Sequence, residues 1–472
     1  MKKKLTSLFL IISCALIFTL TSCGRGDVLL FLNWGEYIDE ELIEAFEEEY
    51  NVTVNMDLGD SNEIFYSKVK SGTTVYDVVC PSDYMVEKMY EKGLLEKLDF
   101  SKFEYSGYNP QSDNIRYGVK QITNIMNQNL IDDGYDDPKI ENYFVPYLWG
   151  SWGIMYSTKK NDLEEAVTNN KDGNQWASLF DRNSLPKGTK VAMYDSHQHA
   201  YYAACRYLSA SGYQFQGDLN DEDVVYAELP TSDLNKIKNI VSKMNYNAWG
   251  TDSIKKDIVA GNIDLGFMWT GDFLYYYAEN AASTAMNAYL ANDVKIEEVG
   301  ALLDAITGED AIYEANGNSY EIGFDLFIPD DTIAFCDNLV ITKDSVHKDL
   351  AHKFIDFMIS RSIDNEEEVS LINEDPAYTY TYYVCYDAPY NDVYADIVAL
   401  NETEFTKEIE DDFKASKADP YDSDLYWMMY DYALGIGFSK YYPEDSTKGT
   451  KLSYFPRKYI QKINNTFNNA RA

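Results

Sequence analysis

Trp34 and Tyr37 stand three residues apart in "FLNWGEYIDEELIEAFEEEY" (31–50), a stretch that reads as a strand, a short turn and a helix. In an open α/β sheet such turns lie outside the carboxyl ends of the strands, where ligands bind. Two aromatic rings there offer faces to an apolar chain or to a cation. The competing reading is that both rings cap hydrophobic core. His197 and His199 flank Gln198, a spacing that invites a metal. With four histidines in the chain and no matching Cys pair, ordinary surface or core histidines are the better reading. The 41 tyrosines leave ferric-iron ligation as a distant alternative and otherwise read as packing and surface residues. Acidic runs such as Asp132/Asp133 and Glu366–Glu368 read as solvated faces rather than acid/base dyads. No nucleophile elbow, P-loop or dinucleotide fingerprint occurs. The chemistry on offer is binding, so no enzyme activity, cofactor or metal is expected.

The elements that must position these residues follow from periodicity. "VLLFL" (28–32) reads as a buried strand, and "DEELIEAFEEEY" (39–50) as a helix with Leu42, Ile43, Phe46 and Tyr50 on one face. Strand "VTVNM" (52–56), helix "SNEIFYSKVKSG" (61–72) ended by Gly72, strand "YDVVC" (76–80) and helix "MVEKMYEKG" (85–93) complete a β-α-β-α-β-α run. A second α/β set begins near "FVPYLWGSWGIMYST" (144–158). It continues with strand 188–194, helix 195–213, a helix and strand over 254–272, and a strand and amphipathic helix over 336–360. No tandem repeat or Pro/Ser-rich linker separates the two sets. Two lobes packed across a cleft are therefore expected, closing on a small ligand by a hinge.

Composition narrows the ligand and the compartment. Lys2–Lys4 followed by the apolar "LTSLFLIISCALIFTL" (5–20) has the layout of a secretory signal peptide. The run is shorter than the roughly 20 residues a transmembrane helix needs. "LTSC" (20–23) resembles a bacterial lipobox, which implies cleavage after residue 22 and a lipid on Cys23, holding the mature chain at a membrane. The 40 basic residues against 78 acidic ones give a net charge of −38, which argues against nucleic acid as a partner and favours cations. Cys80, Cys205, Cys336 and Cys385 lack zinc-ligand spacing and read as isolated buried thiols.

Five segments in order resemble the extracytoplasmic solute-binding proteins of polyamine ABC importers, the spermidine/putrescine-binding family. They are "FLNWGEYI" (31–38), "YDVVCPSDYMVEKMYEKGLLEKLD" (76–99), "VPYLWGSWGIMYS" (145–157), "NIDLGFMWTGD" (262–272) and "FCDNLVITKDS" (335–345). The resemblance is weak around 280–322, an apparent insertion, and from 375 onward. It implies an α/β fold of two periplasmic-binding-protein-like (type II) lobes joined by hinge strands. Lobe 1 would comprise 28–150 with 336–385, and lobe 2 would comprise 151–335 with 386–472. It implies a polyamine between the lobes, contacted by Trp34, Tyr37, Ser82 and Tyr84, with the chain packed on Trp269. Asp272 and Asp337 would reach ammonium groups, and Phe335 stands where members often carry Trp. A C-terminal tyrosine, one of Tyr380, Tyr382 or Tyr383, would also contact ligand. Where the family has an acidic residue in lobe 2, this chain offers Asp195, Ser196 or His199. The partners implied are a permease and its ATPase, with the binding protein acting as a monomer. Another cationic solute, or an adhesin role, are the alternatives on the same fold.

The physical logic of such a site stands by itself. Aromatic faces cover methylenes and attract cations, and carboxylates neutralise each ammonium because a buried charge must be paired.

Overall fold

The computed structural model describes residues 26–168, 173–220, 223–251, 253–308, 311–361, 375–442 and 454–471. Residues 1–25, on which the signal-peptide and lipobox readings fall and which include Cys23, and the acidic run Glu366–Glu368 lie outside them.

The chain's first strand, β1 (Val28–Asn33), pairs in parallel with β2 (Thr53–Leu58) and with the short β3 (Val78–Val79). The connecting helices form where local chemistry starts and stops them. Asp39 accepts the Glu41 N–H to cap helix Glu40–Tyr50. Ser61 accepts the Ile64 N–H to cap helix Asn62–Ser71, and Gly72 ends that helix in the left-handed conformation at φ 63°. Leu42 and Phe46 of the first helix bury against Phe354 and Phe357 of helix Lys348–Met358.

The second set is built from β5 (Val191–Tyr194), β6 (Ala248–Gly250) and β7 (Leu265–Trp269), with β5 parallel to both neighbours. Two strands join the sets. β4 (Val145–Ser157) is thirteen residues long, buried along nearly its whole length, and runs antiparallel to β11 (Ala334–Ile341). Its far end pairs with β7 and with β10 (Phe324–Phe327). The resulting order is β2-β1-β3-β11-β4-β7-β5-β6, with β10 off β4. Burial on both faces explains why β4 reads as a continuous run of aromatic and aliphatic residues.

The ladder between β4 and β11 shifts register between Asp337 and Asn338. Pro146, opposite Asn338, has no N–H to give the ladder. Bulges of this kind re-aim a side chain, and the one here falls at Asp337.

The stretches with weak resemblance form a helical layer. Helix Thr270–Leu290 packs along helix Asp424–Tyr441, so closely that a Cβ on Gly437 would sit 2.6 Å from Leu274. Helix Val299–Thr307 and helix Asn391–Ala399 flank that pair, and a small hairpin, β8 (Tyr313–Ala315) with β9 (Asn318–Tyr320), joins it. Most of the tyrosines in this layer are packing residues, as Tyr277, Tyr430 and Tyr441 show. The final helix, Arg457–Arg471, lies on helices His197–Ala210 and Thr231–Met244. Cys80, Cys205, Cys336 and Cys385 are free and buried.

Candidate binding site

A cavity of about 550 Å³ opens between the two sets of elements. That is within the range of small-molecule sites. Trp34, Tyr37, Ser82, Tyr84, Trp269, Asp272, Phe335 and Asp337 all line it.

Asp337 is the centre of the polar network. Its carboxylate accepts the Tyr37 hydroxyl at 2.8 Å and the Ser82 hydroxyl at 2.5 Å. Ser82 is fixed in turn by Asn62, whose Nδ2 donates to its Oγ and whose Oδ1 accepts its N–H, both at 2.9 Å. Asp83 accepts the Cys336 N–H at 2.8 Å, locking the β3 turn onto β11. Burial pushes the Asp337 carboxyl up to about 7, against the two hydroxyl donors that hold it down. Among the described residues no Lys or Arg contributes to this balance. Glu63, at the same wall, receives the Tyr84 hydroxyl at 3.4 Å and is also raised by burial.

Aromatic rings surround this network. Trp269 meets Phe335, His199 and Trp152 edge-on, with centroids 5.0, 5.1 and 5.2 Å apart. Tyr386 stands between Phe335 and Tyr37, 5.7 Å from each. Trp34 is half-buried over Phe65 at 4.4 Å. The turn that carries Trp34 and Tyr37 has Glu36 at φ 52°, an uncommon conformation for a residue with a side chain.

Three features depart from expectation. The C-terminal aromatic of the cavity is Tyr386, not Tyr380, Tyr382 or Tyr383. Tyr380 is buried core, Tyr382 donates to Asp431, and Tyr383 is exposed. Helix Pro376–Val384 stops at Cys385 in the left-handed conformation, φ 60°, and that reversal delivers the following residue to the cleft. Next, Asp195 lines the cavity but is hydrogen-bonded by Arg471 of the final helix, so its charge is already met. His199 beside it is neutral, its imidazole lowered to about 3 by burial, with Ser196 on Nδ1. Finally, Asp272, in the first turn of helix Thr270–Leu290, is paired at 2.7 Å with Lys255, which also lines the cavity. Nothing in the local sequence flagged Lys255, because it sits on helix Ser253–Val259, 17 positions before Asp272. Among the described residues no group of three or more His, Cys, Asp and Glu side chains is arranged to hold a metal ion.

Residues 32–365 match the family model of the bacterial extracellular solute-binding proteins. This chain belongs to that family. A spermidine/putrescine-binding periplasmic protein of Salmonella typhimurium is 28% identical over 263 residues, 54% of this chain and 62% of that relative. The putrescine-binding periplasmic protein SpuD of Pseudomonas aeruginosa is 27% identical over 290 residues, 61% of this chain and 70% of the relative. The chain thus matches somewhat under two thirds of the Salmonella protein's length. Among solved structures, the spermidine/putrescine substrate-binding protein PotD of Streptococcus pneumoniae aligns with a TM-score of 0.51 at 20% identity, covering 95% of this chain and all of that one. The TpPotD lipoprotein of Treponema pallidum aligns with a TM-score of 0.51 at 22% identity, covering 94% and 99%. These likenesses establish the fold, two α/β lobes joined by crossing strands. The family consists of bacterial extracellular solute-binding proteins.

Proposed function

We propose that this solute-binding protein takes a polyamine of the putrescine/spermidine class between its lobes and delivers it to an ABC permease powered by a separate ATPase. The observation that carries the reading is Asp337: a buried carboxylate, held by two hydroxyls, without a basic partner among the described residues, and set in a ring of aromatic faces. An ammonium supplies the missing charge, and Trp34, Trp269, Phe335 and Tyr386 cover its methylenes. The names of the relatives point the same way. Closure would bring residues 28–150 with 336–385 against 151–335 with 386–472, about β4 and β11. The mature chain would be a monomer tethered outside the cytoplasm through lipid on Cys23. Among the described residues no helix is long and apolar enough to cross a membrane.

Isothermal titration with putrescine, cadaverine, spermidine and spermine tests the reading, with ferric iron and a neutral diol as controls. Saturable binding of at least one amine, not competed by the diol, is expected. Binding of ferric iron alone, or of no amine, would remove the polyamine assignment and leave the two-lobed solute-binding fold.

A further inference from the structure

The Lys255–Asp272 pair changes what the cleft recognises. Lys255 and Asp272 line the cavity together at 2.7 Å, and both side chains are largely withdrawn from solvent, 12% and 23% exposed. Asp272 lies in the first turn of helix Thr270–Leu290, where the helix dipole already favours a negative charge. Its carboxylate therefore meets both the helix end and an ammonium of the protein's own. Asp337 differs: its partners are two neutral hydroxyls, and no cation contributes to its state among the described residues. The two carboxylates are not equivalent ends of a cradle for a diamine.

We propose that Lys255 is a resident cation that competes with a ligand ammonium for Asp272 and so determines which amines the cleft prefers. A ligand whose one ammonium sits on Asp337 meets no such rival. The second ammonium of a diamine must either displace Lys255 from Asp272 or lie beside its like charge, and either way loses affinity. The preference thus shifts toward amines with one charged end and a neutral, hydrogen-bonding other end. This inference rests on the polyamine-class reading of the same site.

The test is a matched pair of ligands of equal length, putrescine and 4-amino-1-butanol, titrated calorimetrically into the parent and Lys255→Met. Methionine keeps the unbranched stem and removes the charge. The putrescine-to-aminobutanol affinity ratio is expected to rise at least fivefold in Lys255→Met. Lys255→Gln, a second neutral variant, should behave alike, and Lys255→Arg should keep the parent's ratio. Circular dichroism identifies any variant that is unfolded, so that the other neutral variant decides. A ratio that rises by less than fivefold in the folded neutral variants, or rises equally in Lys255→Arg, overturns the role of Lys255 while leaving amine binding intact. If neither the parent nor the neutral variants bind either amine, the polyamine reading itself falls and this inference with it.

Discussion

Burial, with the nearby Asp83 charge, outweighs the hydroxyls of Ser82 and Tyr37 and raises the Asp337 carboxyl to about 7. An ammonium favours the ionised form, so binding below that pH must expel a proton. Amine affinity is expected to rise from pH 5 to 7 by up to about tenfold per unit, then level off; titrations in buffers of different ionisation enthalpy should register the released proton. The sign for stability is the opposite. A carboxyl whose pKa is raised on folding contributes most below its unfolded value, near 4, and that contribution is lost as the pH climbs through about 7. The melting temperature of the ligand-free parent, compared with Asp337→Asn, should show this decline across pH 4–7. Asp337→Asn should also weaken amine binding by well over tenfold, since loss of a buried charge partner typically costs about 2–5 kcal/mol. The rings contribute less each. Trp34→Ala and Trp269→Ala are each expected to cost roughly 0.5–2 kcal/mol of binding, read by calorimetry. Were both to lower the melting temperature and leave affinity untouched, the rings would be core alone.

At the scale of elements, the cleft is held by contacts between segments far apart in the chain. Gly271 opens helix Thr270–Leu290 directly against Tyr386, and a Cβ there would fall 2.4 Å from the ring. Gly271→Ala should improve the helix's intrinsic propensity yet push Tyr386 out of place, so amine affinity should fall while helix content is kept. Circular dichroism and calorimetry on one sample separate the two effects. Arg116 joins three elements. It pairs with Asp387 at 3.0 Å, donates to the Tyr442 carbonyl at 2.8 Å and lies 3.6 Å over the Tyr394 ring, with both charges fully buried. Burial raises the Asp387 carboxyl to about 7 despite the arginine. Arg116→Met removes one partner of a buried pair, a change that costs about 3–5 kcal/mol. Asp387 can escape the penalty by binding a proton, so chemical denaturation should show a larger loss at pH 8 than at pH 6.

Over the whole molecule, β4 and β11 run through both halves of the sheet and form the structural continuity between them. A cleft that closes about these strands should make the protein more compact when an amine binds, and small-angle scattering with and without putrescine measures that directly. Tethering is a separate property. If Cys23 carries the proposed lipid, Cys23→Ser is expected to yield unprocessed or released protein whose amine titration matches the parent, because Cys23 precedes the first strand. Membrane retention of that variant, followed by fractionation, would overturn the lipobox assignment. The helical layer around helix Thr270–Leu290 buries one flank of that helix, with Tyr277, Tyr430 and Tyr441 among its packing residues.

The β-α-β run and the turns bearing Trp34, Ser82 and Trp269 were legible in the sequence, because periodicity and strand-end position are local properties; strands joining the two sets came only with the family resemblance. The likeness to solute-binding proteins was legible as well, carried by five segments in order. Tertiary structure alone decided how those residues meet: Tyr37 and Asp337 are 300 positions apart and share a hydrogen bond. It brought Tyr386 rather than an earlier tyrosine to the cleft, through one left-handed residue at Cys385. It gave Asp195 to Arg471 and Asp272 to Lys255. Charge pairing depends on distance in space, and a sequence motif states which carboxylates are present without stating which cations have already reached them.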